Sequence, residues 1–273
     1  MNVLFYVLSS ALIWLSYRSL LGGIEYRRFF RQELAKLPSK YAPFATIIAP
    51  CRGIDQDLEQ NLRAVVSQDY PEFETIFVVD DPDDPAVSVI REFLDDRSRL
   101  LIAPKAVRSS QKVENLRAAV GEADPRSKVF AFIDSDIKTS NAWLKILVSA
   151  LADDKVGAAT GYRWFISDTP NFASELRSSW NASIASALGS RTTSNFCWGG
   201  SMAIRRDVFE RLHVREKWSG TLSDDFTVTR TMKKAGLSIV FVPGALSPSR
   251  GECTVSEMLE FTTRQMKITR VYA

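Results

Sequence analysis

The sequence predicts an α/β fold in which helices cover both faces of a mainly parallel sheet, preceded by one N-terminal transmembrane helix. Short apolar runs alternate with stretches of helical periodicity along most of the chain. Such alternation is typical of a parallel sheet that is buried on both faces. No charged side chain occurs before Arg18, which is typical of a membrane-spanning segment.

The N-terminal segment has the composition of a membrane anchor. Apolar residues continue past Arg18 to Ile24, and the long Arg18 side chain can reach the bilayer surface. No Lys or Arg precedes the apolar run, which disfavours a cleaved signal peptide, and an amphipathic or buried helix is the alternative. Basic residues follow the run and predict a cytoplasmic globular part: Arg27, Arg28, Arg31 and Lys36. We predict an anchor at 1–24, a basic juxtamembrane linker at 25–43 and a globular domain at 44–273.

Seven short apolar runs predict the strands of the sheet. Each run is bounded by residues that favour turns or helices, and most contain β-branched or aromatic side chains. In chain order, the predicted strands are 45–49, 74–79, 100–103, 129–133, 156–162, 202–204 and 238–242. Ligands of such sheets bind beyond the carboxyl ends of the strands, so the residues that follow each strand are candidates for the site.

The segments between these strands have the periodicity of helices. Leu58, Leu62 and Val65, for example, recur on one face of the first predicted helix of the domain. Gly236 follows the last residue of another helical pattern, where glycine favours termination. In chain order, the predicted helices are 57–67, 87–94, 111–120, 142–151, 171–189, 207–212, 226–235 and 255–270.

The composition excludes several classes of protein. Of the 273 residues, 45% are hydrophobic, which is too many for a disordered chain. His213 is the only histidine and excludes a His-rich zinc site, while Cys51, Cys197 and Cys253 lack CxxC spacing and predict buried free thiols. A formal charge of +3 is too small to indicate nucleic acid as a partner. Carboxylates are therefore the expected catalytic groups.

Asp134 and Asp136 follow the fourth predicted strand as a DxD pattern. Alternate residues at a strand end can direct two carboxylates at one hard cation, such as Mg²⁺ or Mn²⁺. The expected role of this divalent metal is to bridge a diphosphate leaving group and stabilise its developing charge. The alternative is a solvated turn between a strand and a loop.

Two further acidic clusters accompany the DxD pattern. Asp80 and Asp81 end the second predicted strand, where they can accept hydrogen bonds from the base or ribose of a nucleotide. The next two acidic residues, Asp83 and Asp84, stand beside prolines and are interpreted as turn formers. The 224–225 pair precedes a helix, where one carboxylate can cap the helix or act as a general base towards an acceptor hydroxyl.

In this order, the motifs resemble the ceramide glucosyltransferase-like family of GT-A glycosyltransferases, which is related to glycosyltransferase family 2. Within that family, the chain resembles a bacterial-type member. The resemblance is collinear from about residue 45 to residue 270. It implies a Rossmann-like GT-A fold. The matching residues, besides the strand-end aspartates, are Lys112-x-x-Asn115, Asp134-x-Asp136, Gly199-Gly200-Ser201 and Ser223-Asp224-Asp225.

The resemblance also implies a role for each strand-end carboxylate. Asp81 matches the first essential aspartate, which contacts the nucleotide, and Asp80 is its neighbour. Asp134 matches the second aspartate, which serves both donor and metal, and Asp136 matches its metal-binding companion.

Three further positions are implied to act on the donor or the acceptor. Asp225, next to Asp224, matches the third aspartate, which is the catalytic base. Lys112 and Asn115 match a segment that faces the nucleotide sugar, where Lys112 can pair with phosphate.

The C-terminal helix departs from the family pattern. The family has a (Gln/Arg)-x-x-Arg-Trp motif there, and this chain keeps Arg264 but has Gln265 in place of the Trp. Arg264 is expected to neutralise the diphosphate, and Gln265 is grouped with the donor-binding residues. A second register, Lys267-x-x-Arg270, fits the spacing from Asp225 less well. Relatives continue into further membrane helices, so we expect this chain to be a truncated form.

The resemblance implies an inverting, metal-dependent transfer of a sugar, expected to be glucose, from a UDP-sugar to a membrane lipid hydroxyl such as that of ceramide. The expected partners are the UDP-sugar, the lipid acceptor and the membrane. One alternative is a catalytically impaired membrane protein that only binds nucleotide sugars. A second is a haloacid dehalogenase-type phosphohydrolase, whose nucleophile normally ends the first strand of its domain rather than a later one.

Overall fold

A computed structural model of the chain describes residues 2–272 and has two compact units, one up to Leu37 and one from Pro38 onwards. The first unit is built on helix α1 (Asn2–Leu34). Its segment Val3–Leu34 reaches a mean hydropathy of 1.4 and is long and apolar enough to cross a membrane. The helix runs through the predicted anchor and continues into the predicted linker, so residues 25–34 are helical.

The second unit contains the sheet. Its strands within the described residues are β1 (Ala45–Pro50), β2 (Phe73–Val79), β3 (Ser98–Ile102), β4 (Val129–Ile133), β5 (Val156–Ile166), β6 (Ser201–Arg205) and β7 (Ser238–Arg250). Its α-helices are α2 (Leu58–Val66), α3 (Ala86–Arg91), α4 (Gln111–Gly121), α5 (Trp143–Ser149), α6 (Phe172–Ala185), α7 (Arg206–Arg211), α8 (Val214–Lys217), α9 (Asp224–Lys234) and α10 (Val255–Tyr272).

The strands form one sheet in the order β3-β2-β1-β4-β6-β5-β7. The first four of these strands pair in parallel, and β5 pairs in parallel with β7. Strand β6 is antiparallel to both of its neighbours, β4 and β5. Six strands therefore share one direction, and their carboxyl ends lie at one edge of the sheet, which we call the carboxyl edge. Because β6 is reversed, its first residue, rather than its last, lies at that edge.

Helices pack on both faces of the sheet, as the alternation in the sequence predicts. Successive residues of a strand point to opposite faces, so Ile47 and Ile48 of β1 belong to different cores. Ile47 packs in the core that is covered by α2, α3 and α5. Ile48 packs in the core that is covered by α4, α7, α8 and α9. Cys51, Cys197 and Cys253 are free and buried, which confirms their prediction as buried thiols.

Strands β5 and β7 are longer than the apolar runs predict. The predicted strands end at residues 162 and 242, whereas the observed strands continue to Ile166 and Arg250. A register shift after Thr160 lets Tyr162–Ile166 pair with Leu246–Arg250 as a two-stranded extension. Polar residues interrupt the apolar run in this extension, so the local sequence pattern does not predict a strand there. The strand forms because these residues pair with β7. We call this extension the β5–β7 ribbon.

Candidate active site

The carboxyl end of β4 and the start of β6 meet at a pair of glycines. The backbone N–H of Asp134 donates to the carbonyl of Gly200 over 3.2 Å, directly beyond the paired residues Ile133 and Ser201. A Cβ atom on Gly200 would lie 2.6 Å from Asp134 Oδ2, and one on Gly199 would lie 2.1 Å from Asp224 Oδ2. The two glycines therefore allow carboxylates from β4 and α9 to approach the same short loop.

Lys112 lies between these two carboxylates. Its ammonium donates to Asp134 Oδ1 over 2.6 Å and lies 3.7 Å from Asp224 Oδ1. Burial opposes the charge on Lys112, but the two carboxylates outweigh it and raise the pKa of the ammonium. Burial likewise opposes the charge on Asp134, but Lys112 and Arg163 together lower the pKa of that carboxyl. The family resemblance implies that Lys112 pairs with a phosphate. In the structure, its ammonium contacts two carboxylates, those of Asp134 and Asp224.

Arg163, at the start of the β5–β7 ribbon, is a site residue that the sequence reasoning missed. Its guanidinium lies 2.8 Å from Asp136 Oδ2 and 3.3 Å from Asp134 Oδ2. Its Cζ atom lies 5.2 Å from the ring centroid of Trp198 and the same distance from that of Phe165. The predicted fifth strand ends one residue before Arg163. An arginine among three aromatic residues at 162–165 is the signal that the sequence offers.

Asp225 is held on the other side of the glycine pair. Its Oδ2 accepts a hydrogen bond from the Gly199 N–H over 3.3 Å, and its Oδ1 accepts from the Ser223 hydroxyl. Ser223 is the N-cap of α9, and its hydroxyl accepts from the N–H of Phe226. The same N–H also donates to Asp225 Oδ1 over 2.7 Å, so Ser223 and Asp225 share the capping role that the sequence left open for one of the two aspartates. Asp225 is half-buried and remains partly accessible to an acceptor.

Asp224 is the most buried carboxylate of the group, with 5% of its surface exposed. Its Oδ2 has no hydrogen-bond partner among the residues that the structure describes. Burial raises the pKa of Asp224 to about 6, with Asp225 and Asp134 adding to the increase and Lys112 opposing it. Its backbone carbonyl accepts from Trp218 Nε1 over 3.1 Å, which anchors the first turn of α9 to the core.

The raised pKa of Asp224 predicts a pH dependence of stability. The folded protein binds this proton more tightly than the unfolded chain, whose Asp has a pKa of about 3.9. The stabilising contribution is fully present below about pH 4 and is lost as the pH rises through about 6. We expect Asp224→Asn to reduce the decline of the unfolding free energy across this window, measured by denaturant unfolding of the detergent-solubilised protein at several pH values. Asp207→Asn is the control, and parallel curves for Asp224→Asn and wild type would contradict the assignment.

Asp80 and Asp81 form a separate pair at the carboxyl end of β2. Both contact Lys105, which lies 2.8 Å from Asp80 Oδ2 and 3.1 Å from Asp81 Oδ2. The Asp83 N–H and Lys105 lower the pKa of Asp81. Strand β1 separates β2 from β4, so the pair lies about two strand spacings, or roughly 10 Å, from the end of β4. Lys105 follows β3 in a loop without a repeating pattern, and the sequence reasoning missed it.

Two other predicted positions have partners away from the carboxylates. Asp84 accepts from the N–H groups of Gly53 and Ala86, each over 2.8 Å, which confirms that it forms a turn. Asn115 is buried in α4, and its Oδ1 accepts from the side chain of Gln111 over 2.9 Å. Gln111 also hydrogen-bonds to the loop after β3. Asn115 therefore stabilises that loop through its hydrogen bond with Gln111.

Arg264 and Gln265 lie on α10, and the structure places neither in contact with the site carboxylates among the described residues. Arg264 is exposed, with its Cζ atom 5.9 Å from the ring centroid of Phe261. Gln265 is half-buried. The end of α10 does reach the site region, since Tyr272 Oη accepts from the Leu222 N–H over 2.7 Å.

The Asp134–Asp136 pair fits a divalent cation in its chemistry. One nitrogen of Arg163 lies within 3.3 Å of Asp134 Oδ2 and 2.9 Å of Asp136 Oδ1, so the two carboxylates face one cationic position. No group of three or more His, Cys, Asp or Glu side chains with metal-binding geometry occurs within residues 2–272. Two protein carboxylates suffice for Mg²⁺ or Mn²⁺ when phosphates and water supply the other ligands. Burial raises the pKa of Asp136, which a cation at this position would oppose.

Comparison with known proteins assigns the chain to a family. The sequence model described as "Glycosyl transferase family 21" matches residues 8–273. A ceramide glucosyltransferase of Komagataella phaffii is 29% identical over 133 residues. That match covers 46% of this chain and 26% of the relative, so the matched segment corresponds to about a quarter of that protein.

Solved structures share the fold. One is a mannosyltransferase from Pyrobaculum calidifontis in complex with GDP-Man and Mn²⁺, which is 20% identical in sequence and has a TM-score of 0.55. The match covers 86% of this chain and 66% of the mannosyltransferase chain. Another is GalNAc-T7, solved with UDP, GalNAc and Mn²⁺, which is 11% identical in sequence and has a TM-score of 0.58. The match covers 81% of this chain and 48% of the GalNAc-T7 chain. The similarity confirms the predicted GT-A fold.

Proposed function

Because the chain belongs to glycosyl transferase family 21, we propose that it transfers a sugar from a nucleotide-diphosphate donor to a hydroxyl group of a membrane lipid. The proposed donor is UDP-glucose and the proposed acceptor is ceramide or a lipid with a similar hydroxyl. The name of the Komagataella phaffii relative supports glucose as the sugar and ceramide as the acceptor. The observation that most supports the proposal is the cluster of carboxylates around Lys112. Asp134 and Asp224 come from distant parts of the chain, and both lie close to the Lys112 ammonium at the carboxyl edge.

Asp225 is the proposed general base. An attacking hydroxyl has to lose its proton as its oxygen bonds to the anomeric carbon, and a carboxylate within hydrogen-bond reach can accept that proton. Attack from the face opposite the leaving diphosphate inverts the anomeric configuration. The contacts of Asp225 with Gly199 and Ser223 fix its orientation before the acceptor arrives. Asp224 is buried beside it, close to the Lys112 ammonium.

The donor side is proposed to use the other carboxylates. Asp81, with Asp80 behind it, is exposed enough to contact the nucleoside, and Lys105 holds both in place. Asp134 and Asp136 would hold a divalent cation, Mg²⁺ or Mn²⁺, which when bound neutralises the diphosphate of the leaving group. Two relatives of the same fold were solved with Mn²⁺, which supports a metal of this kind. Arg264, which is exposed on α10 with Gln265 next to it, is proposed to add positive charge on the same side.

The lipid acceptor is proposed to arrive from the membrane that α1 enters, with the catalytic unit on the cytoplasmic face. The length and hydropathy of α1 support the insertion, and the basic residues after its apolar part support the orientation. On the catalytic unit, apolar side chains of α6 and α10 are exposed and can contact a lipid: Phe172, Leu176, Leu259 and Met266. A cytoplasmic site beside the bilayer meets both a soluble nucleotide sugar and a lipid.

The test is a transfer assay with the membrane-bound protein. Membranes that contain the full chain are incubated with one nucleotide sugar at a time, with ceramide, diacylglycerol, hopanoid or polyprenol, and with Mn²⁺, Mg²⁺ or a chelator. We expect a hexosylated lipid, identified by mass, with UDP-glucose and a divalent cation. Membranes without the protein are the control.

Two results would contradict the proposal. UDP binding without transfer to any acceptor would indicate the nucleotide-sugar-binding protein that the sequence allows as an alternative. Release of phosphate from simple phosphomonoesters, without glycolipid formation, would indicate a phosphohydrolase.

A further inference from the structure

Asp134 and Asp136, which are proposed to hold a metal ion, both contact a positively charged side chain of the protein, Arg163. Both Asp136 oxygens lie within 2.9 Å of the Arg163 guanidinium, and Asp134 Oδ2 lies 3.3 Å from it. Since one guanidinium nitrogen contacts both residues, Arg163 lies where a bridging cation would lie. Arg163 reaches this position because the β5–β7 ribbon carries it beyond the end of the sheet.

The guanidinium is positioned for this contact but is not fully satisfied there. It lies between the rings of Trp198 and Phe165, and 14% of its side-chain surface is exposed. Its Nε is buried and has no hydrogen-bond acceptor within residues 2–272. The contact with Asp136 is bidentate, which is a strong arrangement for such a pair, so the guanidinium leaves only when both partners gain a replacement. The unpaired Nε is a donor that an anion at a second position could pair.

Removing Arg163 without replacement would be unfavourable. Asp134 and Asp136 would then repel each other in a half-buried position, with only Lys112 near Asp134 to offset the charge. Asp134 and Asp136 would hold a divalent cation in place of Arg163, and that cation would supply more positive charge than the guanidinium. The displaced guanidinium in turn needs an anionic partner, and a diphosphate accepts the paired N–H donors of an arginine.

We infer that Arg163 is a resident cation that competes with the divalent metal for Asp134 and Asp136, and that it leaves them for the diphosphate when the nucleotide binds. The inference rests on the proposed function. It makes metal and nucleotide bind cooperatively: each ligand favours the position of Arg163 that the other requires. Metal binding to the free protein is then weak, and metal binding to the nucleotide complex is strong.

The experiment measures the affinity for Mn²⁺ alone. The full chain in detergent is titrated with Mn²⁺ at pH 7.5, with and without UDP, and free Mn²⁺ is followed by electron paramagnetic resonance. Arg163→Gln removes the competing charge, so we expect it to bind Mn²⁺ without UDP on the order of tenfold more tightly than wild type. In wild type, UDP should tighten Mn²⁺ binding by a similar factor, and in Arg163→Gln this effect of UDP should become smaller.

Two variants separate charge from structural damage. Arg163→Lys keeps the positive charge, so its Mn²⁺ affinity should stay closer to that of wild type than to that of Arg163→Gln. Arg177→Gln is the matched control, because Arg177 also packs on the Phe165 ring, at 4.3 Å, but donates to the Gly251 carbonyl instead of the carboxylates. It should bind Mn²⁺ as wild type does. Structural damage would weaken Mn²⁺ binding, whereas the inference requires it to become tighter.

Two outcomes would overturn the inference, and they differ in what they say about the proposed function. If wild type and Arg163→Gln bind Mn²⁺ equally well without UDP, Arg163 does not compete and the proposed function is unaffected. If neither binds Mn²⁺ with or without UDP, both the competition and the metal dependence of the proposed function fail. Glycolipid formation in the presence of a chelator would then still support sugar transfer.

Discussion

Replacing Asp225 by Asn is expected to abolish sugar transfer and to leave nucleotide binding intact. Asn has the size of Asp, but its single oxygen can replace only one of the two acceptors of Asp225, so either the bond from the Gly199 N–H or the bonds from Ser223 and Phe226 are lost. The Ser223 hydroxyl still accepts from the Phe226 N–H, so the start of α9 should stay capped. Asn cannot take a proton from the acceptor hydroxyl, and loss of a general base lowers turnover by about 10²–10⁴-fold. Turnover is measured as hexosylated lipid formed per minute, and nucleotide binding as the dissociation constant of UDP.

Asp207→Asn is the matched control for Asp225→Asn. Asp207 also lies in the first turn of a helix that follows a β-region N-cap, but that helix, α7, starts at the opposite edge of the sheet from the site. The control should retain wild-type turnover. If Asp225→Asn kept turnover within about tenfold of wild type, a loss smaller than removal of a general base produces, Asp225 would not be the base.

Replacing Gly200 by Ala is expected to cause the second large loss. The added Cβ would lie 2.3 Å from Trp198 Cζ2 and 2.6 Å from Asp134 Oδ2. Neither neighbour can move freely, because Trp198 contacts the Arg163 guanidinium and the Asp134 N–H donates to Gly200 itself. Overpacking of this kind costs about 1–3 kcal/mol of stability. A displacement of about 1 Å at a catalytic group costs on the order of 10²-fold in rate.

Gly189→Ala separates this local effect from a general effect of adding a methyl group. A Cβ on Gly189 meets nothing within 4 Å, so this variant should resemble wild type. Thermal unfolding, UDP binding and glycolipid formation are measured for both variants. We expect Gly200→Ala to lose far more transfer activity than its loss of stability explains. Wild-type activity in Gly200→Ala would mean that Asp134 is not constrained by the glycine pair.

Most of the fold was predictable because its signals are local. A short apolar run such as 129–133, bounded by polar residues, is typical of a buried strand, and the carboxylates after it then lie at the carboxyl edge. For the same reason, the structure brings Asp134 and Asp136 to the place that the sequence predicts. Asp224 joins them because α9 starts at the same edge, although the two segments are far apart in the chain.

The cations of the site were harder to predict because their partners depend on register. Arg163 reaches Asp136 only through the pairing of Tyr162–Ile166 with Leu246–Arg250, and no property of the local sequence determines that pairing. Lys105 lies in a loop, where spacing carries no structural information. The N-cap of α9 was ambiguous for a related reason, because Ser223, Asp224 and Asp225 are all good capping residues. Only the structure shows that Ser223 is the N-cap and that Asp225 shares the N–H of Phe226 with it.

The β5–β7 ribbon gives the two sides of the site unequal local stability. Asp134 follows a strand that is hydrogen-bonded to β1 on one side and β6 on the other. Within the described residues, Tyr162–Ile166 has β7 as its only strand partner, and its other edge receives side-chain hydrogen bonds from α6 rather than a backbone ladder, such as that from Asn181 Nδ2 to the Arg163 carbonyl over 2.9 Å. Segments with fewer backbone partners open at lower free energy than the core that surrounds them. One wall of the site is therefore as rigid as the middle of the sheet, whereas the wall that carries Arg163 can yield to each ligand without unfolding the rest of the domain.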